Sequence, residues 1–381
     1  MILQTLSYFA DGGWSEDIDA SNDSPQTLVV AFGAPRFATD STPFLELRAK
    51  LPNAHIIGCS TAGEIHGSKV SDDSVTVAIA RFDRATLRSA SASVRKPNDS
   101  FGAGLEIGRT LADPQLRGVL LLSNGDGIGV NGSELVYGIN EIIGGRAIVT
   151  GGLAGDGSRF EKTWVLHENR PASGVVAAVG LYGDSLQLGH GSKGGWDIFG
   201  PERIVTRSTA NVLYELDGRP ALQLYKEYLG DRASGLPATG LLFPLALRAS
   251  SDSDKKLVRT ILAVDEAAQS LTFAGDIPQG ALAQLMRANF DRLVEGASDA
   301  ALMTRKHDHD GPVLSIAISC VGRRLVLGER VEEETEAVLE ALPATTRQIG
   351  FYSYGEISPH TDGACDLHNQ TMTLTTIAER S

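Results

Sequence analysis

The chain has 381 residues, and its 34 basic and 47 acidic side chains give a net charge of −13. Its basic residues cluster no further than pairs such as Lys255-Lys256 and Arg323-Arg324. Nucleic acids and anionic membranes both require a concentrated positive surface, so this pattern argues against either class of partner. The hydrophobic fraction of 42% is that of a globular protein, and at about 150 residues per domain the length predicts two or three domains.

Cysteine usage and the N-terminal segment bear on the compartment. Cys59, Cys320 and Cys365 are far apart and form no CxxC pair, which argues against structural zinc and covalently attached haem. Isolated cysteines fit a reducing environment. The N-terminal residues lack the features of a secretory signal, and no apolar run reaches the roughly 18 residues of a membrane helix. We therefore expect a cytoplasmic protein.

The first half of the chain alternates strand-like and helix-like segments. Predicted strands cover 27–34, 55–59, 74–82, 87–94, 118–122 and 147–150. Predicted helices cover 43–51, 101–111 and 134–143. Short strands then follow at 164–167, 174–181, 185–188 and 203–207, with a predicted glycine-rich turn at 189–195 and a closing helix at 220–228.

The second half repeats this mixture. Predicted strands cover 241–247, 257–264, 270–273, 313–319, 348–354 and 371–377, and predicted helices cover 280–294 and 332–342. The order of elements indicates an α/β and α+β fold: a two-domain protein with mixed, largely buried β-sheets flanked by helices. A composition change at 231–240 places the predicted boundary between residues 1–230 and 231–381, and no short-period repeat is visible.

Two motifs match patterns of ligand-binding sites, but for both we favour a loop that binds no ligand. The segment 127–132 reads GIGVNG and matches the glycine pattern that cradles a dinucleotide pyrophosphate. It does not follow its strand directly, and 42 glycines make chance matches expected, so we favour a structural loop. The segment 307–310 reads HDHD and offers metal ligands. Alternate residues of a polar run rarely converge on one ion, so we predict a solvated loop and no metal site.

Nucleophiles follow one predicted strand. Cys59, Ser60 and Thr61 lie at the end of the strand 55–59, with Glu64 close by in sequence. A nucleophile needs a base, and neighbours in sequence seldom form a working triad. A ligand-lining or structural loop is therefore favoured, and an enzyme that uses Cys59 or Ser60 as nucleophile is the alternative.

A later strand ends in two tyrosines and an acid. Alternation places Tyr352 and Tyr354 on one face, beside Glu356, which suits a small polar or cationic ligand, although packing of the rings in the core explains the pattern equally well. His190 lies among glycines that would let backbone approach a flat ligand, and histidine is the usual axial residue of non-covalent haem. A histidine in a surface turn is the simpler interpretation.

Six strings in order resemble the two halves of the FIST family. GCSTAGEI at 58–65, GGLAGD at 151–156 and LYELDG at 213–218 resemble its N-terminal half. SCVGRR at 319–324, GFYSYGEI at 350–357 and HNQT at 368–371 resemble its C-terminal half. The resemblance implies a non-enzymatic intracellular sensor that binds a small ligand, with amino acids among the proposals, and serves histidine-kinase or cyclic-dinucleotide signalling.

A free-standing subgroup of that family is described as haem-binding nitric-oxide sensors acting on a partner histidine kinase. The resemblance therefore implies a separate histidine kinase as partner and haem b as a candidate cofactor, and an oligomer is also open. His190 is the candidate haem ligand on the residue pattern alone. The ligand-binding residues of this hypothesis are Cys59, Ser60, Thr61, Glu64, Cys320, Arg323, Tyr352, Tyr354, Glu356 and Asn369. Arg323 would pair with a ligand carboxylate and Glu356 with an amine. A scaffold that binds only other proteins is a third class.

Overall fold

The structure is a computed structural model that describes residues 1–125, 130–252, 256–305, 311–359 and 363–380, without the side chain of Ala238. These residues form seven α-helices and four β-sheets. Three of the sheets contain one parallel pair of strands each, and the other described pairs are antiparallel. The predicted fold class, a two-domain α/β and α+β protein with mixed sheets, is confirmed.

Three of the sheets are built on one repeated pattern. The first repeat contains β1 (Ile2–Phe9), β2 (Gly13–Trp14), β3 (Thr27–Gly33), α1 (Thr42–Lys50), β4 (His55–Ser60), β5 (Glu64–His66), β6 (Lys69–Ser71) and β7 (Ser74–Arg81). The second contains β8 (Thr86–Ser93), α2 (Ser100–Leu111), β9 (Leu116–Ser123), α3 (Gly132–Ile143), β10 (Ile148–Leu153), β11 (Val165–His167), β12 (Arg170–Ala172) and β13 (Val175–Tyr182).

The third repeat is interrupted by an inserted domain. The repeat begins with β14 (Leu186–Lys193). The inserted domain contains β15 (Asp197–Ile198), β16 (Arg203–Thr209), β17 (Val212–Leu216), β18 (Arg219–Pro220), α4 (Ala221–Leu229), β19 (Leu245–Arg248), β20 (Leu257–Arg259), β21 (Ile261–Asp265), β22 (Ser270–Phe273) and β23 (Leu282–Arg287). The repeat resumes with α5 (Phe290–Thr304), β24 (Val313–Cys320), α6 (Val321–Leu327), α7 (Val331–Ala341), β25 (Thr346–Ser353), β26 (Gly355–Pro359), β27 (Cys365–His368) and β28 (Met372–Glu379).

The four long strands of each repeat pair in the same way. The second and third long strands are parallel: β3 with β4, β9 with β10, and β24 with β25. The fourth is antiparallel to the second, and the first is antiparallel to the fourth. The three sheets therefore have the common order third, second, fourth, first, which defines a threefold internal repeat.

Short hairpins exchange between the repeats in a cycle. The hairpin β5–β6 leaves the first repeat and pairs with β25 of the third. The hairpin β26–β27 of the third pairs with β10 of the second, and β11–β12 of the second pairs with β4 of the first. Each sheet is thus completed by a neighbour, and the three repeats form one body.

The central core lies where the inner faces of these three sheets meet. It contains Phe32 of the first sheet, Leu120 of the second and Ile316 of the third, all nearly free of solvent contact. The rings of Phe32 and Phe351 lie 4.6 Å apart between the first and third sheets. Burial of this apolar surface stabilises the assembly of the three sheets.

The inserted domain has a sheet of nine strands and an apolar core of its own, which includes Leu213, Leu222 and Phe273. The predicted boundary at residue 230 lies inside this domain, directly after α4. Strands from both predicted segments, 1–230 and 231–381, also share sheets, because the hairpins exchange and β14 pairs with β28. The structure therefore divides the chain into a body of three repeats and an inserted domain at 197–287.

The predicted strand at 241–247 begins in a 3-10 helix and is strand only from Leu245, and the predicted strand at 257–264 is the two strands β20 and β21. Two further predicted elements differ in kind. The predicted helix at 280–294 is the strand β23 followed by α5, since residues 282–287, although rich in helix formers, pair with β19. The predicted glycine-rich turn at 189–195 is mostly strand, because β14 continues to Lys193. Gly189 and Gly191 lie where α5 packs on this strand, so their missing side chains allow close packing rather than a turn.

Candidate functional site

A glycine and a carboxylate follow the third long strand of every repeat. These pairs are Gly63-Glu64 after β4, Gly155-Asp156 after β10 and Gly355-Glu356 after β25. Since the three strands occupy equivalent places in their sheets, the three carboxylates occupy equivalent positions in the body. All three side chains are buried.

The three segments meet through backbone hydrogen bonds, and we call residues 59–64, 153–156 and 352–356 the loop junction. The amide of Gly155 donates to the carbonyl of Ser60 over 3.0 Å, and the amide of Ala62 donates to that of Tyr352 over 2.8 Å. The amide of Tyr354 donates to Leu153 over 3.1 Å. Each segment thus contacts both others, which joins the three repeats at one end of their strands.

Two of the carboxylates have the same surroundings. Glu64 accepts from the hydroxyl of Thr61, and from the amide and hydroxyl of Ser74 over 3.0 and 2.8 Å. Glu356 accepts from the hydroxyl of Ser353 over 2.7 Å, and from the amide and hydroxyl of Thr371 over 3.1 and 2.9 Å. Burial raises the pKa of Glu64 to about 7 and that of Glu356 to about 8 despite these donors.

The third carboxylate organises the loop after β10. Asp156 accepts from the amides of Phe160, Glu161 and Lys162 over 2.8 to 3.0 Å and from the hydroxyl of Tyr354. The rings of Tyr354 and Phe160 stack with centroids 4.3 Å apart. Tyr354 therefore closes the loop of the second repeat onto the third.

A buried ion pair lies behind Tyr352. The guanidinium of Arg323 contacts the carboxylate of Glu334 at 2.7 Å, and neither side chain is exposed to solvent. Glu334 also accepts from the hydroxyls of Tyr352 over 2.7 Å and Ser319 over 3.0 Å. This cluster connects α6 and α7 to the strand that enters the loop junction.

The same arginine holds the inserted domain. Its guanidinium donates to the carbonyl of Gly194 and, over 2.8 Å, to that of Leu293. Gly194 belongs to the connection that enters the inserted domain, and Leu293 lies in the first turn of α5, which follows the connection that leaves it. Arg323 thus links the entering connection and the start of α5 to Glu334, and all three of its nitrogens donate to groups of the chain.

A second contact between inserted domain and body runs through Gln370, beside the predicted site residue Asn369. The carbonyl of Gln370 accepts from the indole of Trp196 over 2.8 Å, and its side-chain amide donates to Leu241 over 3.2 Å. Asn369 donates to the carbonyl of His368 over 2.9 Å. The side-chain oxygens of Asn369 and Gln370 are buried and lack hydrogen-bond partners among the described residues. Buried acceptors of this kind are suited to a donor supplied by water or a ligand.

The predicted nucleophiles are buried from solvent. Cys59 is buried, and burial raises the pKa of its thiol well above the usual range. The hydroxyl of Ser60 is also buried and accepts from the amide of Trp164 over 2.9 Å. Burial likewise raises the pKa of Cys320. This arrangement supplies neither a thiolate nor an activated serine, so it gives the enzyme alternative no support.

The predicted ligand-binding residues form connected buried clusters. The segments 59–64 and 352–356 meet in the loop junction. Arg323 is connected to Tyr352 of this junction through Glu334, which binds both side chains. Glu356 lies close enough to Cys320 to raise the pKa of its thiol. Two cavities of the structure, one beside Tyr182 and one beside Tyr225, are lined by residues outside this predicted set. Glu334 was missed by sequence analysis, because it reads as one of three acids in the first turn of a helix.

His190 lies in β14 opposite Thr375 of β28. A side chain at Gly189 would lie 2.2 Å from the carbonyl of Thr304, and one at Gly191 would lie 2.0 Å from that of Ala300. Helix α5 therefore occupies the space beside these glycines that the haem hypothesis required. Because successive side chains of a strand point to opposite faces, the side chain of His190 lies on the face of β14 away from α5.

Two sequence motifs are only partly covered. Of the segment 127–132, residues 127–129 lie outside the described residues, while Asn131 caps α3 by accepting from the amides of Ser133 and Glu134. The segment 307–310 lies outside them entirely. In the part of the chain that the structure describes, no group of three or more potential metal ligands is found, and no helix is long and apolar enough to cross a membrane.

The fold and the loop junction define a class: a two-domain α/β protein whose body is a threefold repeat closed by buried polar clusters. Comparison of the sequence gives the family. The FIST N domain matches residues 27–219 and the FIST C domain matches residues 221–359. The chain belongs to the FIST family, whose domains are sensory and are associated with signalling and ligand binding.

More distant similarity adds little about activity. An uncharacterized protein of Methanocaldococcus jannaschii is 25% identical over 240 residues, covering 55% of this chain. The match spans 44% of the length of that relative. The crystal structure of a cyanuric acid hydrolase from A. caulinodans aligns with 100% of this chain and 99% of its own at 9% identity, with a TM-score of 0.36. A similarity of that size supports no inference about function.

Proposed function

We propose that this chain is a non-enzymatic sensory protein that binds a small amino-acid-like ligand and signals to a separate histidine kinase. In this proposal the arrangement described above is one of two that the chain adopts. Ligand binding shifts the equilibrium towards an arrangement in which the inserted domain has moved relative to the three repeats. A ligand can shift such an equilibrium only by its difference in affinity for the two arrangements.

The observation that carries the proposal is the double role of Arg323. One guanidinium contacts the connection that enters the inserted domain and the first turn of α5, the helix that follows the connection leaving it, and its partner Glu334 contacts Tyr352 at the loop junction. A change at the loop junction that displaces Tyr352 or Glu334 alters the support of both connections. The inserted domain is therefore the element suited to report the state of the junction.

An amino-acid-like ligand has the chemistry to compete for these groups. Its carboxylate would replace Glu334 on the fork of Arg323, which is the geometry that arginine offers to carboxylates. Its ammonium would face Glu356, whose hydrogen-bond donors are the neutral groups of Ser353 and Thr371 and which lies within electrostatic range of Arg323. Thr371 and Ser353 already hold Glu356 in place for such a contact.

The raised pKa of Glu356 gives this ligand class a specific signature. With a pKa of about 8, Glu356 is largely protonated at pH 7. An ammonium group that binds beside it favours the carboxylate, so binding at pH 7 releases a proton. The observed enthalpy of binding then depends on the ionisation enthalpy of the buffer.

The experiment combines a screen with a calorimetric titration. A thermal-shift screen of the common amino acids identifies those that raise the melting temperature, since a ligand that binds the folded chain stabilises it. Titration of such an amino acid in phosphate and in Tris buffer then measures proton release. We expect release in the wild type and little in Glu356→Gln. Glu340→Gln, at an exposed position of α7, is the matched control.

Two results would contradict the ligand assignment. One is the absence of any stabilising amino acid in the screen. The other is binding with equal enthalpies in both buffers, which places the ammonium away from Glu356. For the partner, the proposal predicts that the ligand changes the affinity of the chain for a purified histidine kinase, and equal affinities with and without it would remove this part.

Haem with nitric oxide is the other ligand that the family resemblance suggested, although α5 fills the space beside Gly189 and Gly191. An absorption spectrum of protein expressed with ample haem precursor tests it. A stoichiometric Soret band that shifts with nitric oxide would replace the amino acid by haem in this proposal. The absence of a band after addition of haemin would remove haem.

A further inference from the structure

A second candidate site lies at the opposite end of the strands from the loop junction. A cavity of about 450 Å³ opens where β13 and β28 end, whereas the loop junction lies near the starts of these strands. Its lining residues are Arg84, Thr86, Gln115, Tyr182, Gly183, Asp184, Ser185 and Arg380. This volume is within the range of about 300–1,000 Å³ that is typical of small-molecule sites.

Two of the lining arginines are not neutralised. Among the described residues, neither Arg84 nor Arg380 has a carboxylate within salt-bridge distance. The neighbouring arginines differ, because Arg117 pairs with Asp184 and Arg88 lies 3.7 Å from Asp113. The lining acid Asp184 is thus already paired with Arg117, and the cavity wall carries two arginines without an ion pair among the described residues, although Arg84 lies within electrostatic range of Asp83.

The turns that contain the two arginines are held together by hydrogen bonds to Glu379. The carboxylate of Glu379 accepts from the amides of Arg84 and Ala85 over 2.9 and 2.8 Å and from the hydroxyl of Ser185 over 3.2 Å. The amide of Arg380 donates to the carbonyl of Ser185 over 2.9 Å. Glu379 therefore fixes the turns that place both guanidinium groups at the same cavity.

We infer that this cavity binds a small dianionic ligand with phosphate or dicarboxylate groups, held between Arg84 and Arg380. A guanidinium donates two parallel hydrogen bonds to such oxygens, and two of them match a charge of −2. The hydroxyl of Thr86 and the amide of Gln115 are further donors at the cavity wall. The inference is independent of the sensory site, because the two share no residue.

Isothermal titration of the full chain with inorganic phosphate and with succinate, against sodium chloride of equal ionic strength, tests the inference. We expect saturable binding of at least one of the two anions. Phosphate alone would define the ligand as a phosphate ester, and succinate alone would define it as a dicarboxylate. No saturable binding of either anion would overturn the inference.

Substitution then locates the site. Arg84→Gln and Arg380→Gln should each weaken binding by at least about tenfold, the effect of losing a charged hydrogen-bond donor. Arg95→Gln removes one positive charge from an exposed position that does not line the cavity, and it should leave the affinity unchanged. Because these arginines are exposed, the variants should keep the wild-type melting temperature. Binding that survives in the Arg84→Gln/Arg380→Gln double variant would overturn the inference.

Discussion

Arg323 and Glu334 form an ion pair of 2.7 Å from which solvent is completely excluded. Both groups are fully engaged: the arginine also holds the carbonyls of Gly194 and Leu293, and the glutamate holds the hydroxyls of Ser319 and Tyr352. Two buried charges of this kind are stable only when their remaining hydrogen-bonding groups are satisfied. The pair therefore connects three parts of the molecule: the loop junction, the helices α6 and α7, and the two connections of the inserted domain.

Removing one charge of this pair should be strongly destabilising. Glu334→Gln leaves Arg323 buried without its counter-charge, and we expect the free energy of unfolding to fall by about 3–5 kcal/mol, as measured by urea denaturation. Tyr352→Phe removes one hydroxyl from the same carboxylate and should cost about 1 kcal/mol. Equal losses in the two variants would show that the charge of Glu334 contributes nothing specific.

Glu64 and Glu356 should lower the stability of the chain as the pH rises from about 5 to about 8, against a smaller opposite contribution below about pH 6.5 from His55 and His66, whose pKa values burial lowers. Burial raises the pKa of Glu64 to about 7 and that of Glu356 to about 8, so the folded state binds these protons more tightly than the unfolded state does. Between its unfolded and its folded pKa, each group lowers the free energy of unfolding by up to about 1.4 kcal/mol per pH unit. The contribution to stability is complete below about pH 4 and is lost as the pH passes the folded pKa.

Glu356→Gln separates the two acids. Glutamine is neutral throughout, so the decline between pH 5 and 7 should be about halved, and the decline between pH 7 and 8 should disappear. Urea denaturation at a series of pH values measures both effects. An unchanged profile in Glu356→Gln would mean that this carboxyl is already ionised in the folded chain at neutral pH.

The packing of α5 on β14 depends on glycine. A side chain at Gly191 would lie 2.0 Å from the carbonyl of Ala300, which forces the helix away from the strand. We expect Gly191→Ala to lower the free energy of unfolding by about 1–3 kcal/mol, the cost of overpacking a core. Gly102→Ala, on the exposed side of α2, has nothing within 4 Å of the new methyl group and should be neutral or slightly stabilising.

The three thiols should react slowly in the folded protein. All three cysteines are buried, and burial raises the pKa of each thiol. Alkylation by iodoacetamide at pH 7.5 to 8, followed by mass spectrometry, should be at least about a hundredfold slower than in urea-unfolded protein, because thiolate and access are both lacking. Rapid modification of Cys59 in the folded chain would revive the enzyme alternative.

Much of the fold could be predicted from local patterns. Buried strands such as β3 and β9 are short apolar runs bounded by turn residues, and their predicted bounds agree with the structure within two residues. The predicted helix at 280–294 failed because β23 has a helix-forming composition and is held as a strand by its partner β19. The threefold repeat was missed because its repeats differ in length and the third is interrupted by the inserted domain.

Several residues of the candidate site could be predicted from the sequence, but the contacts between them could not. Glu64 was named for its closeness in sequence to Cys59 and Ser60, and Glu356 for following two tyrosines, and the two segments do meet at the loop junction. The partner of Arg323 could not be read from the sequence, because its contact with Glu334 depends on how α7 packs after α6. Comparison of the three Gly-acid pairs is the signal that could have disclosed the repeat.

Hydrogen–deuterium exchange on the full chain tests the central claim most directly, with and without an amino acid that stabilises it. The sensory account predicts that the ligand changes the exchange of the two connections of the inserted domain, near Gly194 and Leu293, together with the loop junction. The exposed helix face around Gly102 should not change. Ligand-dependent exchange confined to other parts of the chain, with both connections unaltered, would contradict the account.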